Sequence, residues 1–211
     1  MTIADNAPMS DRPTFLSEPP AGDGIDAAYE ADRQGDGYVW NVTRLWGWRP
    51  DVYEAFAKLR ADLMGSSGLT DRDWAIMVTA TAAERRDSYC ALAWGPKLAK
   101  LSDDATAAQL ILAGPTPELS KRETALAAWA RQLVRDPNAT TERDLDRLRE
   151  VGLSDREIFE ATAFVGFRLA FATVNDALGA APDKQLAEAA PKAIRAAVTF
   201  GRAPAAEPSR S

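Results

Sequence analysis

The chain has 211 residues, a formal net charge of −6 and a pI near 4.9, with 46% of its residues hydrophobic and 27% charged. That length and balance suit one folded domain with a real core and exclude disorder throughout. The acidic surplus leaves no cluster of Lys and Arg to neutralise phosphates, so no nucleic-acid partner is expected. With a single cysteine, Cys90, and no histidine, neither a disulfide framework nor a structural zinc site can be assembled; only a carboxylate metal site stays open, and no metal or cofactor is expected.

Residues 1–36 hold Pro8, Pro13, Pro19 and Pro20 with Gly22, Gly24 and Gly35, and they show little periodicity, which predicts a flexible arm. No basic flank leads into an apolar run there, so a cytoplasmic location is expected rather than secretion. The folded body is predicted over residues 37–201. Its first stretch offers the only short strand candidate, residues 39–43, and crowds Tyr38, Trp40, Trp46 and Trp48 around Asn41 and Arg44. Aromatic side chains with polar tips often wall a ligand site, and an arginine such as Arg44 can grip a carboxylate through two parallel hydrogen bonds.

Helix dominates from there on. Val52, Phe56, Leu59 and Leu63 share a face after Pro50, a residue that sits well in a first helical turn. Leu126, Trp129, Ala130 and Leu133 form a stripe after Ser120, and Leu145 with Leu148 follows Thr141. Residues 158–178 are the most apolar run, yet Glu160, Arg168, Asn175 and Asp176 interrupt it. It is therefore predicted as a buried core helix and not as a membrane span. Residues 202–211 have the composition of a tail. The fold class is all-α.

Three helix starts use nearly the same words: Leu69-Thr-Asp-Arg-Asp73, Leu119-Ser-Lys-Arg-Glu123 and Leu153-Ser-Asp-Arg-Glu157. Each offers a hydroxyl at the N-cap, an acid three residues on to reciprocate, and a preceding leucine that acts as a hydrophobic staple. Residues 69–95 and 153–179 also align without a gap, with Leu, Asp, Arg, a late Ala and a final Gly coinciding. The match suggests a duplicated helical unit.

The order Asn41-Val-x-Arg-Leu-Trp-Gly-Trp-Arg-Pro-Asp51, then a capped helix with Tyr89-Cys90 near its end, then the Leu-Ser-x-Arg-Glu starts, resembles the carboxymuconolactone decarboxylase and alkylhydroperoxidase-D-like (AhpD-like) family. The resemblance covers nearly the whole body. It implies an all-helical fold, homo-oligomers built as trimers or hexamers, and a pocket beside the cysteine-bearing helix. Peroxidase members carry Cys-x-x-Cys-x-x-x-His with an earlier Glu. Laid through Cys90, that pattern puts Asp87 at the first Cys, Trp94 at the His and Ala75 at the Glu. Trp48 falls where many members have a further His, which makes Trp48 and Arg44 pocket candidates while Trp40 and Trp46 are assigned to core or interface.

These departures limit the chemistry. Without a second thiol no intramolecular disulfide can resolve an oxidised Cys90, so turnover would need an outside thiol. On one continuous helix Arg86, four residues before Cys90, lowers its pKa, Asp87 raises it, and the helix start at Thr70 is too distant to contribute. Ile76, Ala80, Ala83, Arg86, Asp87, Cys90 and Trp94 would then lie along one face. A buried Arg168 would need an acid such as Asp87 or Glu84.

Three functions fit. The first is cofactor-free acid–base chemistry (decarboxylation, isomerisation or a lactone reaction) on a small organic acid, with Asp87 and Tyr89 moving protons and Arg44, Trp48, Arg86 and Trp94 binding substrate. The second is a one-cysteine peroxidase or thiol oxidoreductase using Cys90. The third is a non-catalytic oligomeric binding protein that kept the fold.

Overall fold

The computed structural model describes residues 13–205, which form eleven α-helices and no β-strand among the described residues. They are α1 (Asp23–Asp36), α2 (Asn41–Trp46), α3 (Pro50–Gly65), α4 (Asp71–Arg85), α5 (Ser88–Leu101), α6 (Asp104–Ile111), α7 (Lys121–Arg135), α8 (Glu142–Glu150), α9 (Asp155–Ala177), α10 (Lys184–Ala189) and α11 (Lys192–Ala197).

Helix α4 is the axis of the core. Every residue from 73 to 83 is buried, and the helix packs on α5, α6, α7 and α9. Its face toward α9 is closed by Trp74 against Phe164, ring centroids 4.6 Å apart, both fully buried. An all-round apolar helix of this kind belongs in the middle of a bundle, because no face of it can be left to water.

The three predicted helix starts form as capping boxes: Thr70 with Asp73, Ser120 with Glu123 and Ser154 with Glu157. Leu69, Leu119 and Leu153 are buried beside them. The arginines of the first two motifs, which capping does not require, cross-link the three starts, while Arg156 of the third pairs with Glu160 in its own helix. Arg72 Nε reaches Glu123 at 2.5 Å, and Arg122 Nη2 reaches Glu157 at 3.0 Å and Asp73 at 3.6 Å. Each capping acid thus serves a second helix as well as its own.

Four expectations are corrected. Residues 39–43 are not a strand: Trp40 is the N-cap of α2, and Val42, Thr43 and Leu45 are buried as a helical set. Residues 13–36 are not a loose arm: residues 23–36 form α1, Ile25 is buried, and Asp32 accepts the Trp40 amide at 3.0 Å. Residues 1–12 lie outside the described residues. In the tail, residues 202–205 are docked, with Ala205 N donating to Pro182 O at 2.8 Å; residues 206–211 lie outside the described residues.

The fourth correction concerns the aligned segments. Residues 153–179 hold one continuous helix, α9, whereas 69–95 break into α4 and α5. Arg86 turns into the left-handed region at φ 61° and ψ 36°, its amide bonding to Ala83 O and the Asp87 amide to Ala82 O. This is a Schellman ending. Asp87 then caps α5, its carboxylate accepting the Cys90 amide at 2.9 Å. The pair Asp87-Ser88 offers the backbone a competing start, which is why the helix does not run through. The proposed stripe from Ile76 to Trp94 is therefore divided between two helices.

Candidate functional site around Cys90

The break places Cys90 in the first turn of α5, not near the end of a long helix. Burial leaves it 5% exposed, packed with Ala82 and Ala91 under Val198 and Phe200 from the C-terminal segment. That segment comes so close that a Cβ on Gly201, at φ +72°, would stand 2.8 Å from Arg86 O and 2.7 Å from Ser88 Oγ. Only glycine fits there. Ser88 Oγ donates to Arg202 O at 2.8 Å and holds the strap in place.

Arg168, 5% exposed in the middle of α9, donates from Nη2 to Cys90 Sγ at 2.9 Å. The expected acid partners are not its contacts. Glu84 instead accepts from Arg131 and Arg135, and Asp87 caps α5 and acts on Cys90 without an ion pair to Arg168. The Arg168 guanidinium also lies over Phe171 (5.3 Å) and Trp94 (5.7 Å), and its Nε has no hydrogen-bond partner. Burial and the Asp87 carboxylate push the Cys90 thiol well up, and Arg168 pulls only part of the way back. At rest the sulfur keeps its proton.

The remaining predicted site residues separate into groups. Tyr89 is 4% exposed, donates a short hydrogen bond to Asp183, and receives the Val42 amide at 3.4 Å. Asp183 also accepts the Asn41 amide at 2.8 Å. Burial first, then the Asp183 charge, raises the Tyr89 phenol far above its ordinary range. This knot ties α2, α5 and the approach to α10 together and leaves Tyr89 no proton to give.

Arg44 pairs with Glu18 at 2.7 Å and covers the Tyr29 ring, while Trp48, 45% exposed, donates to Ser17 O at 3.2 Å. Both hold the segment before α1, and neither contacts Cys90. Arg86 does not sit one helical turn below the thiol; it is the left-handed residue of the break, and its guanidinium lies 6.0 Å over Phe200. Trp94, one turn after Cys90, lies under both Arg168 and Lys97 Nζ, the latter 4.5 Å from its ring.

A cavity of about 390 Å³ opens on the other side of the break, lined by Arg86, Ser88, Tyr89, Asp176, Ala180, Gly201 and Arg202. Desolvation first, then the charge of Asp87, raises Asp176 to about 6, against the opposing pull of Arg85 at 3.3 Å. Asp176 escaped notice in the sequence because it reads as one more polar interruption of α9. Arg168 was visible as a buried arginine, but nothing in one dimension pairs it with a thiol.

Among the described residues no group of three or more Cys, Asp and Glu is placed to hold a metal ion, and no helix is long and apolar enough to cross a membrane.

No protein-family model matches the sequence, and no curated protein sequence matches it significantly. Solved structures do match. A peroxidase-related protein from Ralstonia eutropha JMP134, described as an alkylhydroperoxidase AhpD core, aligns with TM-score 0.73 at 24% identity over 82% of this chain and 94% of its own. A peroxidase-related protein from Silicibacter sp. TM1040 aligns with TM-score 0.73 at 25% identity, over the same shares. The debrominase Bmp8, as a cysteine-to-alanine variant in complex with 2,3,4-tribromopyrrole, aligns with TM-score 0.65 at 15% identity over 87% of this chain and 95% of its own. What these likenesses establish is the fold.

Proposed function

We propose that this chain, an AhpD-like helical protein, is a one-cysteine thiol enzyme that reduces a small hydroperoxide and is recycled by an outside thiol. The observation that carries this is the Arg168 guanidinium at 2.9 Å from the Cys90 sulfur in the first turn of α5. A guanidinium and a helix N-terminus both favour thiolate. The two best-aligned neighbours reported above are named peroxidase-related.

The steps use groups already in place. Asp87, which faces the thiol, takes its proton, and Arg168 holds the resulting thiolate. The sulfur attacks the terminal peroxide oxygen, the O–O bond breaks, and the departing alkoxide takes the proton from Asp87 to leave as alcohol. Cys90 is then a sulfenic acid. One outside thiol condenses with it, releasing water, and a second frees Cys90 as the mixed disulfide becomes an outside disulfide. No second cysteine exists to shorten this cycle.

The acid–base alternative moves to a different carboxylate. Asp87 is buried beside the Cys90 sulfur and does not line the cavity on the other side of the break, Tyr89 is locked to Asp183 and Arg44 is held by Glu18. Asp176, raised to about 6 in a cavity with Arg86 and Arg202, has the proton affinity a general base needs near neutral pH. Substrate turnover that survives Cys90→Ser and disappears in Asp176→Asn would favour that alternative.

For the thiol cycle the test is reduction of cumene hydroperoxide with dithiothreitol as the outside thiol. Wild-type protein turns over, and Cys90→Ser does not. Equal rates in the two proteins would refute the proposal.

A further inference from the structure

Arg168 does not stand alone. Arg60 on α3 and Lys97 on α5 lie close enough for their charges to act on it and, for Lys97, on each other. Neither Arg60 nor Lys97 makes an ion pair with a carboxylate among the described residues. Asp36 acts on Lys97 from the end of α1, but its carboxylate is held by the Trp40 indole N–H at 2.8 Å. Clustered cations without counter-charges cost free energy, and burial and mutual repulsion weaken the hold of both Arg60 and Lys97 on their protons.

The three cations are graded in depth. Lys97 is the most exposed residue of the three although its ammonium is partly desolvated over the Trp94 ring, Arg60 is half-buried and Arg168 is buried with an unpartnered Nε. Two of them, Lys97 and Arg168, meet on an aromatic wall. Lys97 and Arg168 share the Trp94 ring, and Arg168 also covers Phe171, which stacks on Trp46 at 5.3 Å and faces Tyr53 at 6.4 Å. The inner end of this series touches the Cys90 sulfur.

We propose that Lys97 and Arg168, with the charge of Arg60 acting on both, form the subsite for the negative charge of a small aromatic carboxylic acid, whose ring lies along Trp94 beside Cys90. The carboxylate supplies the counter-charge the cluster lacks, and the aromatic wall accepts a flat apolar body. As the recognised part of the hydroperoxide substrate it rests on Cys90 being the reacting group; as a binding site it does not.

The probe is benzoate, with neutral benzamide as its near-isostere, titrated by calorimetry into the full-length protein. Benzoate binds the wild type and Cys90→Ser alike, benzamide binds at least tenfold more weakly, and Lys97→Met and Arg60→Met each weaken benzoate at least tenfold. Equal binding of the two probes to the wild type overturns the proposal without any variant, as does benzoate binding indifferent to Lys97→Met in a folded protein. If a carboxylate of a second copy covers the cations, benzoate does not bind and Lys97→Met loosens an oligomer, which also overturns it. Selective benzoate binding combined with hydroperoxide turnover in Cys90→Ser would leave this subsite standing and remove the thiol cycle.

Discussion

The Arg168 guanidinium and the Cys90 sulfur, 78 residues apart in sequence, meet at 2.9 Å and join the middle of α9 to the first turn of α5. Asp87 opposes Arg168 at the same sulfur, raising the thiol where Arg168 lowers it. Variants of the two should therefore move thiol reactivity in opposite directions. Asp87→Asn keeps a side chain that caps as well as aspartate but removes the charge, so alkylation by iodoacetamide at fixed pH should speed up, while hydroperoxide turnover falls because the proton carrier is gone. Arg168→Met should slow both. Alkylation rates across pH read the thiol pKa directly.

Arg86 carries strain that its side chain does not require. A non-glycine residue in the left-handed region costs roughly 1–2 kcal/mol, and Arg86 occupies it at φ 61°. Arg86→Gly should stabilise the protein by about 1 kcal/mol, seen as a higher urea midpoint at unchanged slope. Lower stability would mean that the contact with Phe200 outweighs the backbone gain.

Asp176 gives a pH dependence of known sign. Its folded-state pKa of about 6 lies above the ordinary 3.8, with burial the larger cause and Asp87 the second. The folded chain therefore holds this proton more tightly than the unfolded one. The associated stability is complete below pH 3.8 and is lost as pH rises through about 6. Relative to wild type, Asp176→Asn should gain stability across that window and run parallel to it above. Thermal unfolding of both proteins at a series of pH values gives the comparison.

Much of the fold was legible. Capping words at Thr70, Ser120 and Ser154 and the apolar stripes of α7 and α9 announced helices where they occur, because caps and periodicity act within a turn or two of chain. The break at Arg86 was also written locally, in the Asp87-Ser88 pair, but the apolar pattern running from α4 into α5 masked it. Treating those residues as one helix placed Arg86 beneath the thiol and the nearest helix start too far away; the break supplies Arg168 and a helix N-terminus instead. Docking of residues 23–36 and 202–205 was hidden for another reason. Gly201 and Ile25 are fixed by surfaces they meet only after folding.

Phe159 is 71% exposed on α9, and Val52 and Leu59 on α3 are 36% and 46% exposed. If the homo-oligomer expected from the sequence forms through this face of α9, Phe159 is the side chain it would bury. Phe159→Glu should lower the mass measured by light scattering without altering the circular dichroism spectrum. An unchanged mass would place any interface elsewhere.

The most direct test of the Cys90–Arg168 site is to trap its oxidised product. Stoichiometric cumene hydroperoxide added to reduced protein in the presence of dimedone, followed by mass spectrometry, should give one adduct, on Cys90, formed more slowly in Arg168→Met. A thiol that remains unmodified while the protein consumes peroxide would contradict the account.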